Sequence, residues 1–580
     1  MRARGVVVLV LAAVVGWSGC GTITGGDAVV VAVESQPRSL DPRLGSVDAV
    51  SARVHQIVFD SLVRKNETFE YAGHLAESFE VSPDARVYTF KLRPGVLTHS
   101  GRELTSSDVK FTYESIRSPE LRSPVAAAFN RIEAIETPDP LTVVFRCREP
   151  YYQLLGDLVA IPVMVEPPAA GKLMGTGPFK IVDSSEQWVD LEAHEGHFLG
   201  APNIKKLRVR VVTDNNTREL ELKSGGVDFA INTGFAPDAV SKMKSDPELQ
   251  VIEGPGTNIA HIGLNVTDEA LRNPKVRQAL AFAINRDQII ETLLQGQGRP
   301  ADAIMPPESW AYAEGLAQYT YDPARAKQLL DEAGLRDPDG DGPATRFDLE
   351  FVTSNSGIAP AMSQIVQEQW RQIGVNVTPS QFERVTYFDR IAQGNFDAYF
   401  IISVGANQTP DVFSWAYFAS YWSPNRGELD AAATAVKAAA DPAAAEAEMQ
   451  RMLDLLGRGG YCPTPEIDRL LTEARSAAPA EKRDRLIAAY DMLTSRGAGN
   501  RSRYCNPSLN QQILQAERST NRDEQRALYG EIQRAVSQDE PYIYLYYTDN
   551  VIVASKRVGN VQIDPSGSWY FLKDVTVSEQ

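Results

Sequence analysis

Leu75, Ala76, Glu77, Ser78, Phe79, then Tyr88, Thr89, Phe90, Lys91, Leu92, Arg93, Pro94, Gly95, then His99, Gly101, Leu104, Thr105, Asp108 and Val109 form the stretch on which the reading of this chain turns. Tyr88 to Leu92 alternates apolar and polar side chains, the pattern of a half-buried strand, and Pro94 with Gly95 punctuates its end. Ser107 with Asp108 can then cap a helix that carries Val109, Phe111 and Ile116 on one side. A strand, a turn and a capped helix in this order predict mixed α/β structure.

The same residues resemble the signature of family 5 extracellular solute-binding proteins, the peptide, oligopeptide and nickel receptors of ABC importers. The resemblance runs through almost the whole chain. Gly175, Thr176, Gly177, Pro178 and Phe179 are similar to the characteristic turn of that family, and Leu220 to Asp228 to its Gly-x-x-Asp segment. Asn273 and Pro274 supply an N-cap and a first helical position, and Val276, Leu280, Ala283 and Ile284 share one face behind them. Asp322, Pro323, Leu329, Leu330 and Gly334 repeat that logic as cap, start, core and stop of a short helix.

The resemblance implies an α/β, periplasmic-binding-protein-like fold of two lobes around a hinged cleft, of the cluster C type with an extra subdomain. The expected first lobe comprises residues 28–260 plus 545–580, and the second residues 265–540. Two chain crossings, near Gly256 to Asn265 and near Tyr542 to Ala554, would form the hinge. A ligand touching both lobes then favours the closed state by its differential affinity. The implied partners are a peptide or peptide-like solute and ABC permease subunits, with the receptor a monomer.

Arg2 and Arg4 precede an apolar run from Val6 to Trp17, which is followed by Ser18, Gly19 and Cys20. The run is too short to span a bilayer and reads as a signal segment. It resembles a bacterial lipoprotein signal, in which Cys20 becomes the lipidated N-terminus, although Trp17 stands where Leu is usual. An extracytoplasmic, membrane-anchored protein is therefore expected. Across 580 residues, 43% hydrophobic and 23% charged, the chain can bury more than one core, and its formal charge of −17 with no compensating basic run argues against nucleic-acid binding.

No nucleophile elbow, phosphate-binding Gly-Lys-Ser/Thr loop or paired Cys-x-x-Cys occurs, so no enzyme and no cofactor are expected. His194, Glu195 and His197 lack the spacing of a zinc-protease helix. Asp337, Asp339, Asp341, Gly342 and Asp348 imitate a calcium loop, but with Asp in place of the final bidentate Glu. They form a weak calcium candidate, read first as a solvated turn.

In the peptide-binding members that the chain resembles, an aspartate four residues before a Pro pairs with the α-ammonium group of the ligand. The corresponding loop here is Ser403, Val404, Gly405, Ala406, Asn407, Gln408, Thr409, Pro410 and Asp411, which puts Ala406 at the anchor position. Losing one partner of a buried charge pair costs roughly 2–5 kcal/mol. The expected ligand is therefore an N-blocked peptide or another solute with an uncharged head, unless Asp411 substitutes. Ser35 and Gln36 on the first lobe and Trp310 on the second are further cleft candidates, with lobe-core packing the alternative for Trp310.

Tyr461, Cys462, Pro465, Ile467, Leu471, Ala474 and Leu486 are echoed by Tyr504, Cys505, Pro507, Leu509, Ile513, Ala516 and Leu528. A fainter copy begins at Leu429. Residues 428–535 thus read as duplicated helix hairpins that can stack into a layer. Cys462 and Cys505 are the candidate disulfide, with two free thiols as the alternative. A regulatory or scaffold lipoprotein that uses these helices on a protein partner is the second functional reading.

Overall fold

The computed structural model describes residues 28–45, 48–166, 172–231, 235–340, 342–403, 410, 414, 426–457, 465–495 and 500–578. The signal segment, Cys20 and Cys462 lie outside the described residues. Among those residues, no helix is long and apolar enough to cross a membrane.

Val29–Val33 is buried along its whole length, as five apolar residues in a row require when both faces of a strand are covered. It lies inside a seven-stranded sheet ordered Leu249–Gly254, Asn550–Ser555, Phe229–Ile231, Val29–Val33, Lys206–Val211, Trp188–Ala193, Phe179–Ser184. Val29–Val33 pairs in parallel with both neighbours, whereas Asn550–Ser555 returns antiparallel. A second sheet of six strands is ordered Gly298–Pro300, Tyr542–Thr548, Ile259–Leu264, Ala398–Ser403, Phe347–Ser354, Val375–Phe382. These two sheets are the centres of the two lobes.

The opening stretch of sequence builds a separate four-stranded sheet ordered Ala76–Val81, Val87–Leu92, Thr142–Cys147, Ile132–Asp139. Tyr88, Phe90 and Leu92 face its core together with Val109, Tyr113 and Phe145. The following helix begins at Ser106 with Thr105 as its N-cap, two residues earlier than a cap at Ser107 would give. The Thr105 N–H donates to Asp108 at 3.0 Å, so Asp108 reaches back from the third helical position instead of standing outside the helix.

The C-terminal half carries three helix pairs, Arg426–Ala438 with Glu446–Gly457, Pro465–Ser476 with Pro479–Ser495, and Pro507–Arg518 with Arg522–Asp539. They do not stack as one layer. The first two pairs share a core made by Leu429, Val436, Met449, Met452, Leu471 and Leu486. The third pair instead buries Leu509, Ile513, Tyr529, Ile532 and Val536 against Tyr542, Tyr544 and Tyr547 of the six-stranded sheet. The repeat preserved the helical pattern, while the tyrosine-rich strand decided which copy joins the lobe.

Candidate functional site

The two lobes are joined where Leu249–Gly254 passes into Ile259–Leu264 and where Tyr542–Thr548 passes into Asn550–Ser555. Residues 545–548 therefore belong to the six-stranded sheet. The crossings run side by side, with Thr548 N–H donating to Asn258 O at 2.9 Å. A Cβ on Gly256 would stand 2.3 Å from Thr548 O, so only glycine lets the two backbones come this close. Arg299, paired with Glu308, donates from Nη2 to Gly256 O at 3.3 Å. Burial pushes the neighbouring Asp549 carboxyl up to about 6, an effect that Arg299 partly offsets and Glu253 reinforces.

Beside the crossings, the seven-stranded sheet ends in Glu34, Ser35 and Gln36, directly after Val29–Val33. Ser35 and Gln36 are exposed, while Glu34 is half-buried. Glu34 Oε1 faces Arg53 Nη1 at 3.6 Å. Glu34 Oε2 and Arg53 Nη1 are buried and make no hydrogen bond. Burial lowers the Arg53 guanidinium, and the Glu34 carboxylate partly restores it. This opposed pair gives nothing in its local sequence to mark it, because Arg53 comes from the separate helix Ala49–Val58.

On the second lobe, Ala398–Ser403 ends at the crossing, with Ser403 in register with Ile259. Val404, Gly405, Ala406, Asn407 and Asp411 lie outside the described residues. Pro410 and Ser414 are buried, and Ser414 Oγ donates to Pro410 O at 2.7 Å. Trp310 packs against the third helix pair: its ring meets Tyr529 edge-on at 5.9 Å, and the Arg522 guanidinium lies 3.8 Å from its ring centroid.

The acidic turn is held by its own chain. Asp339 accepts from Ala344 N–H at 3.0 Å, Asp337 faces Arg346 at 3.9 Å, and Asp348 accepts from Asn376 at 2.8 Å. Asp341 lies outside the described residues. Among the described residues, no group of three or more His, Cys, Asp or Glu is arranged to hold a metal ion.

His194 and His197 enter a polar network that the sequence did not announce. Asp60 is wholly buried and accepts from His74 and Thr176, each at 2.8 Å, and from Tyr570 at 3.3 Å, while Tyr570 also meets His197 at 3.1 Å. Burial alone would raise the Asp60 carboxyl, but the His74 and His197 rings outweigh it and hold it well below the usual carboxylate range. The network ties the four-stranded sheet, the Gly175–Gly177 turn and the C-terminal segment into one first lobe.

Comparison with known proteins agrees with this geometry. Residues 70–425 match the family described as bacterial extracellular solute-binding proteins, family 5 Middle. A Brucella ovis protein assigned as an ABC transporter peptide-binding protein is 33% identical over 371 residues, covering 61% of this chain and 69% of that one. The glutathione-binding protein GsiB of Pectobacterium atrosepticum is 27% identical over 565 residues, covering 95% and 94% of the two chains. The structure of HbpA2 from Haemophilus parasuis superposes with a TM-score of 0.70 at 23% identity, covering 95% of this chain and 100% of that one. The chain belongs to the family 5 bacterial extracellular solute-binding proteins.

Proposed function

We propose that this protein is the receptor of an ABC importer, anchored outside the cytoplasm through lipidated Cys20, and that it captures a peptide or peptide-like solute by lobe closure. The observation that carries the reading is the doubly crossed hinge between two sheet-centred lobes, in a chain of this family. No catalytic step is required of it: differential contacts to the two lobes are enough to couple binding to closure. With Ala406 at the anchor position, Glu34 and Arg53 are the charged groups available beside Ser35 and Gln36. Glu34 is half-buried there and its carboxylate is balanced by Arg53 at 3.6 Å, which suits an uncharged head better than a lone cationic one.

The test is a thermal shift and calorimetric titration with trialanine and N-acetyl-trialanine. Binding of the acetylated peptide, with free trialanine weaker by about tenfold or more, is the expected outcome. Glu34→Gln and Arg53→Gln should each weaken it. Binding of neither peptide, nor of any pool of small solutes from a cell extract, would count against the receptor reading. The separate helical core of residues 426–495 favours a second reading, a scaffold. It borders a groove of about 740 Å³ between Arg469 and the Gln511, Leu514 and Arg518 face of the next helix. A protein partner captured with no solute response in the titration would support that reading.

A further inference from the structure

The first and second lobes touch again beyond the two crossings, where Trp310 packs on the same core as Ile259 and Tyr547. The turn between Val63–Lys65 and Tyr71–Gly73 belongs to the body of the four-stranded sheet, since Leu62, Val63 and Leu75 share that core. Asn66 Oδ1 accepts from the N–H groups of Thr68 and Glu70, at 3.0 and 2.9 Å, which fixes the tip. The Thr68 carbonyl then accepts from Trp310 N–H at 3.0 Å. Glu70 Oε1 stands 3.7 Å from Arg522 Nε, and that guanidinium covers the Trp310 ring. A second bridge lies nearby, where Gln153 Nε2 donates to Glu517 Oε1 at 2.8 Å.

Arg522 is oddly placed for a helix residue. It occupies the first position of the 18-residue helix Arg522–Asp539, where the unsatisfied N–H groups and the helix dipole disfavour a cation. Its Nη1 donates to Gln525 Oε1 at 3.1 Å one turn along the helix, while its Nε faces Glu70 on the other lobe and its guanidinium lies over the Trp310 ring.

We infer that Thr68 and Glu70 with Trp310 and Arg522 form an interlobe clasp, assisted by Gln153 and Glu517, which contributes to solute affinity without touching the solute. The inference rests on the receptor reading for its consequence, but not for its geometry. Contacts made only when the lobes meet bias the open–closed equilibrium. They therefore multiply the affinity for every solute by one common factor.

The test is small-angle scattering and amide exchange on the purified ligand-free protein, comparing wild type with Glu70→Gln, Arg522→Gln and the double variant. Glu70→Gln removes only a charge from an exposed turn of the first lobe, so it separates the clasp from any folding defect caused at Arg522. In each single variant the radius of gyration should rise and amides 66–71 and 310–312 should exchange faster. The double variant should add little to either change. Where trialanine or its N-acetyl form binds wild type, each single variant should weaken it by about fivefold. Unchanged scattering and exchange in both single variants would overturn the clasp and make the contact a fixed pivot, as would full additivity in the double variant. Failure of wild type to bind either peptide speaks to the receptor reading alone, because the ligand-free measurements still decide the clasp.

Discussion

His99 lies between two backbone groups that fix its protonation. Gly175 N–H donates to Nδ1 at 3.2 Å, so Nε2 carries the proton that goes to Gly177 O at 3.1 Å. A second proton on Nδ1 would break the first bond. Burial first, and then the nearby His194 ring, lower His99 to about 4 despite its bond to Gly177. Burial likewise lowers His55 to about 4 and His261 to about 3. Below pH 6.5 these rings charge in the unfolded chain but stay neutral in the folded one, so the unfolded state binds more protons. Stability must fall as pH drops from about 6.5 to 4, by up to about 1.4 kcal/mol per unit for each ring. Urea midpoints measured between pH 7 and 4.5 should follow that slope. His99→Gln can reproduce both backbone bonds and should make it shallower by one ring's share; an unchanged slope would mean that His99 is charged in the folded protein.

At the scale of elements, short-range chemistry and long-range packing contribute differently. Asn273 caps Pro274–Phe282 through Lys275 N–H, and Asp322 caps Pro323–Glu332 through Arg325 N–H. Both starts were legible because a cap acts within three residues of itself. The destinations of the three helix pairs were not, since each has an apolar stripe and the choice of partner rests on residues far away in the chain. Cys505, just before the third pair, is disulfide-bonded, while Cys147 is buried and free. The Tyr-Cys repeat points to Cys462 as the partner, which would tie the helical core of residues 426–495 to the lobe. Non-reducing peptide mapping should recover a Cys462–Cys505 cross-link. Cys505→Ser should lower stability by up to about 4 kcal/mol, the entropy of a closed loop of this length. A cross-link involving Cys20 instead would refute the pairing.

For the molecule as a whole, the hinge stores a charge in an unfavourable place. Asp549 sits in the second crossing, between Tyr542–Thr548 and Asn550–Ser555 and among Arg299, Glu253 and Lys244, and its carboxyl is raised to about 6 chiefly by burial. A raised carboxyl is protonated more readily in the folded state, so its ionisation opposes folding above about pH 6, and this opposition fades as pH falls toward 4. Asp549→Asn should therefore raise the melting temperature at pH 7.5 and do so by only about a third as much at pH 4.5. Equal shifts at both pH values would show that the gain comes from packing alone. Because His99, His55 and His261 act with the opposite sign over the same range, the variant must be compared with wild type at each pH.

The sequence by itself determined the family, the strand through Tyr88 to Leu92, the helix starts at Pro274 and Pro323, and the glycines of the Gly175–Gly177 turn. Each of these is written in local terms: an alternating run, a cap, or a residue without a side chain. At Gly177 a Cβ would meet Val58 O at 2.6 Å. Only the tertiary structure decided that Asp60 gathers His74, Thr176 and Tyr570, that Arg53 opposes Glu34, and that Trp310 lies under Arg522 with its N–H on Thr68. These partners are separated by 14 to 510 residues where a hydrogen bond joins them to Asp60. A side chain's type announces what it can bond, but only the folded backbone sets which group arrives within 3 Å of it.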